Sequence, residues 1–264
     1  MDKKSLNTLL ERAVSSLMHD RVISRVKGKF MGQVFKLNNN FERRAEKLAN
    51  MEKFAEASRF KSELDMCFRS GETMLVPLDA NAGTIMAIIN LQAQGRIVLQ
   101  HENFPDVPFG FEPSNYEGRM FPKSYYSFDV RLTPSDKYLY NEDIPMAIEA
   151  NHLPVPEKGP VGELPIWRDF FGNLEAERWV QYVCLVVFAL ATKGPLNAKS
   201  AATLLHPMVE IFEVNLIVQW IQSLGILELT AGNHGWTVGE WWWLVIGNMV
   251  DLRGRGLQRH SCRW

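Results

Sequence analysis

The chain has 264 residues and a formal net charge of −1, and 46% of its residues are hydrophobic, which is typical of a soluble protein with packed cores. Its three cysteines, Cys67, Cys184 and Cys262, lie far apart, which predicts a reducing compartment and offers no zinc site of paired cysteines. The longest apolar run, 179–191, is too short to span a bilayer, and the N-terminus has no hydrophobic run like that of a signal peptide.

The charge is distributed unevenly along the chain. Residues 1–70 carry a net charge of +6, residues 71–165 carry −7, and residues 166–264 are neutral. A basic first part joined to an acidic middle indicates different partners for different segments.

The first 40 residues predict a helix followed by a β-hairpin. Apolar residues recur at helical spacing over 5–19, a strand follows at 20–26, and a returning strand occupies 33–37. A helix followed directly by a hairpin is the second half of a winged helix. We therefore expect 1–40 to be a partial winged helix and the chain to begin within a domain, since the two helices that should come first are missing.

The predicted hairpin is basic, because residues 21–36 include five cations and no carboxylate. The five are Arg21, Arg25, Lys27, Lys29 and Lys36. A basic hairpin at the edge of such a fold can lie along the phosphate backbone of DNA. Lysine and arginine on short edge strands also prevent edge-to-edge aggregation. The two interpretations ask for the same residue types, and both stay open.

The middle of the chain predicts a spacer, a second module and a linker. Residues 41–70 read as a connecting helix whose mixed charges indicate a solvated face. Residues 71–150 read as a winged-helix-like module with an enlarged wing: a strand at 74–78, a helix at 80–94 that buries Ile85, Ile88, Ile89 and Leu91, and strands at 96–100 and 125–132. The proline-rich stretch 151–165 predicts a stiff linker.

The last segment, 166–250, predicts three helices followed by a hairpin, with a tail at 251–264. Asn173 is expected to cap the first helix, which Gly194-Pro195 ends. A second helix fits 198–205, a third runs from about 208 to 224, and strands at 226–229 and 236–238 flank a glycine turn. This order of elements predicts a complete winged helix.

The third of these helices has two apolar stripes. The stripe that we assign to the core includes Phe212, Leu216 and Trp220. The stripe that we assign to a partner, or to a neighbouring segment of the chain, is Val214, Ile217, Val218 and Ile221. The helix lacks lysine and arginine but contains Glu210 and Glu213, and phosphate binding requires cations, so its charge favours contact with protein over DNA.

Trp241, Trp242 and Trp243 cannot all face one core, because consecutive helical positions point about 100° apart. We expect them to pack against Ile166-Trp167 and the first helix, with one, Trp242, at a protein interface. A stacking platform for single-stranded nucleic acid is the alternative, but the neighbouring Glu240 and the absence of nearby cations count against it.

Several of these residues carry a resemblance to a known family. The motif Leu164-Pro165-Ile166-Trp167-Arg168-Asp169, then Gly172-Asn173, Ala191-Thr192, and Gly235-Trp236 leading to Glu240-Trp241-Trp242-Trp243-Leu244, resembles fungal largest subunits of transcription factor TFIIIC. The similarity covers roughly 164–247, is weaker before it and ends by Asp251. It implies tandem winged-helix modules, of which this chain would be the C-terminal part, in the half of TFIIIC that binds the B box of transfer-RNA genes.

No catalytic pattern stands out in the sequence. It contains no phosphate-binding glycine-lysine loop, no dinucleotide fingerprint and no nucleophile elbow, and its six histidines are scattered. We therefore expect no enzymatic activity, no metal, no cofactor and no small-molecule substrate.

The sequence as a whole predicts an α+β, mainly helical fold of tandem winged-helix-like modules joined by a helix and a proline-rich linker. The expected function is that of a nuclear, non-enzymatic TFIIIC subunit that contacts duplex DNA of RNA polymerase III internal promoters and other TFIIIC subunits, without a membrane. The alternative is a winged-helix interaction scaffold of another nuclear complex with no DNA role.

Overall fold

The structure is a computed structural model that describes residues 3–27, 33–77, 79–102, 129–146, 153–230, 232 and 234–260. The fold is α+β and mainly helical, with small antiparallel sheets, as predicted. In chain order the elements are α1 (Lys3–His19), β1 (Ile23–Lys27), β2 (Gln33–Leu37), α2 (Asn39–Ala49), α3 (Met51–Arg69), β3 (Met74–Pro77), α4 (Ala82–Ala93), β4 (Ile97–Glu102), β5 (Asp129–Pro134), a 3-10 helix (Asn141–Asp143), α5 (Ala176–Lys193), α6 (Ala198–Leu205), α7 (Ile211–Ser223), β6 (Leu227–Leu229), β7 (Trp236–Val238) and α8 (Trp242–His260).

The chain forms two compact units, and each is assembled from two separate stretches. The first unit consists of Met1–Asn50 and Pro154–Val238, and the second of Met51–Leu153 and Gly239–Trp264. The predicted segments divided the chain differently, because they placed 41–70 in a single connecting helix and kept 166–250 together. Among the described residues, no helix combines the length and the apolar character that crossing a bilayer would require.

The core of the first unit is built around α5. This helix is apolar almost all round, so it is buried on most sides, and α2, α6 and α7 pack against it. Trp179 of α5 lies between two other indoles in edge-to-face contacts, with its ring 4.9 Å from that of Trp167 and 5.1 Å from that of Trp220 on α7. This aromatic column ties the segment before α5 to α5 itself and to α7.

Two hairpins complete the first unit. Strands β1 and β2 pair in an antiparallel register that runs from Ile23 opposite Leu37 to Lys27 opposite Gln33. The side chain of Asn38 caps α2 by accepting a hydrogen bond from the backbone N–H of Asn40 (3.0 Å). Strands β6 and β7 form the second hairpin, in the register Leu227 opposite Val238.

The second unit is a three-stranded antiparallel sheet with helices α3, α4 and α8. Strand β5 lies in the middle of the sheet, so that Leu132 is paired with Met74 of β3 on one side and with Leu99 of β4 on the other. Helix α3 packs against both α4 and α8, and its Phe54 and Leu64 are fully buried.

Two glycines allow α4 and α8 to approach α3 closely. A Cβ atom added at Gly83 of α4 would lie 2.3 Å from the carbonyl oxygen of Lys53, and one added at Gly247 of α8 would lie 2.5 Å from that of Phe54. Beside Gly247, the hydroxyl of Ser58 donates to the Oδ1 of Asn248 (2.5 Å). Side chains larger than hydrogen would therefore separate the helices.

An ion pair fixes the start of α8 within the second unit. The Nε and Nη2 atoms of Arg96 donate to the Oε1 of Glu240, at 3.0 and 2.7 Å, and Nη1 donates to the backbone carbonyl of Lys137 (2.5 Å). The same guanidinium lies over the ring of Trp241, 5.6 Å from its centroid.

The predicted helices and strands are found close to the predicted bounds, except at 41–70 and at the predicted tail 251–264, of which 251–260 belongs to α8. The stretch 41–70 is two helices separated by Asn50, whose φ of 53° is left-handed, and α3 is a core helix and not a solvated spacer. In α4, Leu91 is fully buried as predicted and Ile88 is half-buried, but Ile85 and Ile89 are exposed. The N-cap of α5 is Glu175, whereas Asn173 bonds to Asp169. The predicted enlarged wing lies mostly at 103–128, outside the described residues.

Candidate nucleic-acid and protein interfaces

The basic hairpin is the predicted DNA-binding element, and the structure describes two of its five cations fully. Arg21 precedes β1 with a left-handed φ of 58°, Arg25 lies on β1, and both side chains are exposed. The backbone register places Lys27 opposite Gln33 and Lys36 opposite Ser24, while the side chains of these two lysines, and Lys29 altogether, lie outside what is described.

A carboxylate lies at the base of this hairpin. Asp20 comes directly before Arg21, its Oδ1 lies 3.3 Å from the Nδ1 of His19, and its Oδ2 lies 3.8 Å from the Nε2 of His206 at the end of α6. Two imidazoles thus flank the negative charge next to the arginines.

Helix α2 contributes cations that the sequence interpretation had assigned to a solvated spacer. Arg43, Arg44 and Lys47 are exposed on α2, which follows β2 after a single residue and belongs to the same compact unit. The opposite face of α2 buries Ala45 and Ala49. Because Glu46 is also exposed on α2, this helix adds cations within a face of mixed charge. Asn50, which caps the C-terminus of α2 in the left-handed conformation, separates α2 from α3.

The α7 stripe that was predicted to contact a partner or a neighbouring segment of the chain is buried within the first unit. Val214, Ile217, Val218 and Ile221 are at most 1% exposed, because α5 and α6 cover this face of the helix. Of the residues that were assigned to the core, Trp220 is buried, but Phe212 and Leu216 are only half-buried. Trp242 is also buried: its ring meets that of Phe54 edge to face at 5.7 Å, and its Nε1 donates to the Oδ1 of Asn90 (3.4 Å).

The outward face of α7 is uncharged. Glu213 is turned inwards, where its carboxylate accepts from the backbone N–H of Ile166 (2.6 Å) and of Glu210 (2.8 Å). Burial raises the pKa of this carboxyl, while the two backbone hydrogen bonds work in the opposite direction. Ile211, Gln219 and Gln222 are exposed on the helix. No residue of α7 is a lysine or an arginine, so this helix has no group that could neutralise a phosphate.

A buried ionic cluster lies in the second unit. The Nζ of Lys61 donates to the Oδ1 of Asp65 (2.5 Å) and to the carbonyl of Leu139 (2.9 Å). Asp65 also accepts from the hydroxyl of Tyr138 (2.6 Å) and from the backbone N–H of Asn141 (3.0 Å). Burial lowers the pKa of Lys61 and raises that of Tyr138. Since Lys61 is fully buried, the cluster fastens 138–143 to α3 and does not present a reactive group to solvent.

Over the described ranges, no group of three or more His, Cys, Asp or Glu side chains is placed to hold a metal ion. Cys184 is buried, and burial raises the pKa of its thiol, which disfavours the reactive thiolate.

The chain belongs to a family of unknown function, DUF6581, whose sequence profile matches residues 3–203. The matched region runs from α1 through most of α6. No curated protein matches the chain. Neither comparison assigns a biochemical role.

Proposed function

We propose that this chain is a non-enzymatic subunit of RNA polymerase III transcription factor TFIIIC, which contacts promoter DNA and assembles the complex through winged-helix modules. The proposal rests on the residues at 164–247 that resemble fungal largest subunits, and on the order of elements within the two compact units. The resemblance is the reason for proposing TFIIIC as the complex, and the order and pairing of the elements support winged-helix modules.

One observation carries the winged-helix assignment. Leu196, in the short connection between α5 and α6, forms a β-bridge to Trp236 of β7, with N–H···O distances of 2.9 and 3.2 Å in the two directions. The order is therefore helix, short strand, helix, helix and hairpin, with the short strand paired to the last strand. A winged helix has this layout, in which the sheet braces a three-helix core.

Two further parts of the chain support tandem modules. In the second unit, the first strand (β3) pairs with the last (β5), which in turn pairs with the middle strand (β4), and α4 lies between β3 and β4 in sequence. In the N-terminal part, α1 leads directly into the β1–β2 hairpin, as α7 leads into β6 and β7.

The proposed DNA contact is the basic hairpin, and not α4 or α7. The predicted contact residues are Arg21, Arg25, Lys27, Lys29 and Lys36. Helix α4 contains no charged residue, and the only charged residue of α7 is the buried Glu213. Arginines on a hairpin contact phosphates without reading bases, so this surface would position the protein on duplex DNA and add little sequence preference of its own.

The test is a salt series of binding to a duplex that carries a B box and to a scrambled duplex of equal length. Changing Arg21 and Arg25 to Ala should weaken binding to both duplexes alike and reduce the magnitude of the salt slope by about 2, roughly 0.9 for each lost phosphate contact. The matched control is Lys193→Ala with Lys199→Ala, two exposed cations of the same unit. Unchanged affinity and slope in the arginine variant would mean that these side chains only protect a strand edge.

The second candidate function is a winged-helix protein-interaction scaffold without a DNA role. The uncharged outward faces of α4 and α7 favour it, because such faces suit protein partners better than phosphate. If the chain shows no salt-dependent binding to either duplex but co-purifies stoichiometrically with nuclear partners, the scaffold is correct and the DNA role is wrong.

A further inference from the structure

Two adjacent phenylalanines protrude from the loop that precedes α5. Phe170 is 90% exposed and Phe171 is 85% exposed, and their rings meet edge to face with centroids 5.9 Å apart. Single exposed apolar residues are ordinary on protein surfaces, but large aromatic side chains are usually at least half covered. The nearly complete exposure of two adjacent aromatic side chains therefore indicates a role in binding.

The loop that carries the pair is fixed by its own hydrogen bonds. The Oδ1 of Asp169 accepts from the backbone N–H of Phe171 and of Asn173, both at 2.8 Å, and its Oδ2 accepts from the side-chain amide of Asn173 (2.9 Å). The N–H of Gly172, a residue with a φ of +85°, donates to the carbonyl of Asp169 (2.9 Å). The hydrogen bond from the Asn173 side chain lowers the pKa of the Asp169 carboxyl, so the carboxylate that closes the loop persists at neutral pH.

The base of the loop is anchored to the first unit. The guanidinium of Arg168 donates to the carbonyls of Gly172 (3.1 Å) and Val155 (3.2 Å). The indole N–H of the buried Trp167 donates to the carbonyl of Pro156 (3.0 Å). The two rings are thus held at the tip of an ordered hairpin, and a partner that binds them has little loop entropy to remove.

The charges around the pair indicate what kind of partner fits. In 165–178, a stretch that the structure describes throughout, the two cations are engaged: Arg168 with backbone carbonyls, and Arg178 with the carboxylate of Glu175 (2.9 Å). The charge next to the rings is the carboxylate of Asp169. Within this stretch, anionic lipid or nucleic acid would find both cations already engaged, and a second copy of the chain would bring two Asp169 carboxylates together.

We propose that Phe170 and Phe171 are a preformed anchor for a protein partner that offers an apolar cleft with a cationic rim. The rings would fill the cleft, and Asp169 would face the rim. Aromatic anchors seated in desolvated pockets commonly dominate the energy of an interface. The anchor is independent of the basic hairpin, so it holds whether or not the chain binds DNA.

The test begins with the full chain carrying a photo-reactive benzoylphenylalanine at position 171 in its native cells. The crosslinked protein is then produced on its own, and its affinity for the full chain is measured. Phe170→Ala with Phe171→Ala should weaken binding about 30-fold or more. Asp169→Ala keeps both rings but releases the loop, and it should weaken binding less. Affinity should fall with rising salt, since the rim and Asp169 are opposite in charge.

The matched control is Val161→Ala, which removes another exposed apolar side chain (87% exposed) of the same unit and should leave affinity unchanged. Melting curves of the double phenylalanine variant and of Val161→Ala should match that of the unchanged chain, because these side chains are exposed. Asp169→Ala removes the hydrogen bonds that close the loop, so its melting curve is measured separately. The proposal is overturned if no protein is crosslinked, or if the crosslinked protein binds the double phenylalanine variant as tightly as the unchanged chain. It is also overturned if the only effect of the double variant is a loss of self-association, or a loss of binding to phosphatidylcholine vesicles.

Discussion

At the residue scale, the close approach of α8 to α3 in the second unit depends on a glycine, which has no side chain. Gly247 lies where α8 crosses α3, and a Cβ there would be 2.5 Å from the carbonyl oxygen of Phe54 and 2.7 Å from the Cβ of Ser58. A glycine inside a helix normally lowers stability by about 0.5–1 kcal/mol relative to alanine. The packing here reverses that preference, because neither contact atom is the end of a flexible side chain.

We therefore expect Gly247→Ala to lower the free energy of unfolding by about 1–3 kcal/mol, although alanine is the better helix former. Denaturant unfolding measures the change. Met66→Ala on α3 is the control, because this side chain is 66% exposed, and its effect should stay within about 0.5 kcal/mol. A more stable Gly247→Ala variant would show that α8 and α3 have room to spare.

Glu213 gives a pH dependence whose sign can be worked out. Burial raises the pKa of its carboxyl above the ordinary value of 4.5, so the folded state binds the proton more tightly than the unfolded state. The stabilisation from this proton is fully present below pH 4.5 and is lost as the pH rises through the folded pKa. We expect Glu213→Gln to remove this part of the decline in unfolding free energy above pH 4.5.

Unfolding free energies measured between pH 4 and 8 test this expectation. The control is Glu177→Gln, which changes an exposed carboxylate on α5 outside the core and is measured over the same pH range. Glutamine at 213 also loses one of the two accepted backbone hydrogen bonds, which lowers stability by about 1–3 kcal/mol at every pH. A profile that is merely displaced downwards, with its shape unaltered, would mean that Glu213 does not titrate differently in the folded state.

At the element scale, the sequence predicts where α7 begins and ends better than it predicts which side is buried. The helical spacing of apolar residues is clear, but two neighbouring stripes are both apolar, and the choice between them depends on how α5 and α6 pack. Helix α4 shows the same limit in another form. Its isoleucines suggested the core, yet the close crossing at Gly83 favours Ala87 and Thr84 on the buried side.

Of the two candidate surfaces, the sequence predicts the basic hairpin but not the exposed phenylalanine pair. Exposed arginines at 21 and 25 follow from charge and local pattern alone. Phe170 and Phe171 could not be identified as exposed from the sequence, because a Phe-Phe pair between apolar segments is typical of a core. Their exposure follows from the tight turn that Asp169 and Gly172 form, and such a turn is hard to distinguish from other Asp/Gly/Asn loops in a sequence.

The burial of the second α7 stripe gives a test at this scale. Val218 is 1% exposed, so Val218→Lys places a charge in the core of the first unit and should destabilise it by more than about 4 kcal/mol. Ile211→Lys, at a position that is 47% exposed on the same helix, should be nearly neutral. Thermal melts followed by circular dichroism compare the two. If Val218→Lys melts like the unchanged chain, this stripe is not part of the core, and it would be available to contact a partner protein.

At the scale of the whole molecule, the two compact units do not follow the stretches into which the sequence pattern divides the chain. Its proline-rich stretch at 151–165 resembles a linker between two domains, but each compact unit combines residues from both sides of it. Contacts between stretches so distant in sequence leave no local signal. Helix α8 illustrates this, since it begins three residues after β7 and yet packs against α3, where Trp242 meets Phe54 and Gly247 adjoins Ser58.

We therefore expect that the fragments 1–150 and 166–264 do not fold independently. The first contains α3 without α8 and α2 without α5, and the second contains α8 and α5 without those partners, so each leaves core faces uncovered. Amide NMR spectra of the separate fragments should show poor chemical-shift dispersion. Mixing the two fragments should restore part of the spectrum of the full chain, because reassembly covers the exposed core faces. The full chain cleaved after folding, at a protease site inserted beside Val161, is the control, because it keeps every element. A cooperative melt of 166–264 alone would show that this stretch is a self-sufficient domain and that the two-unit division is incorrect.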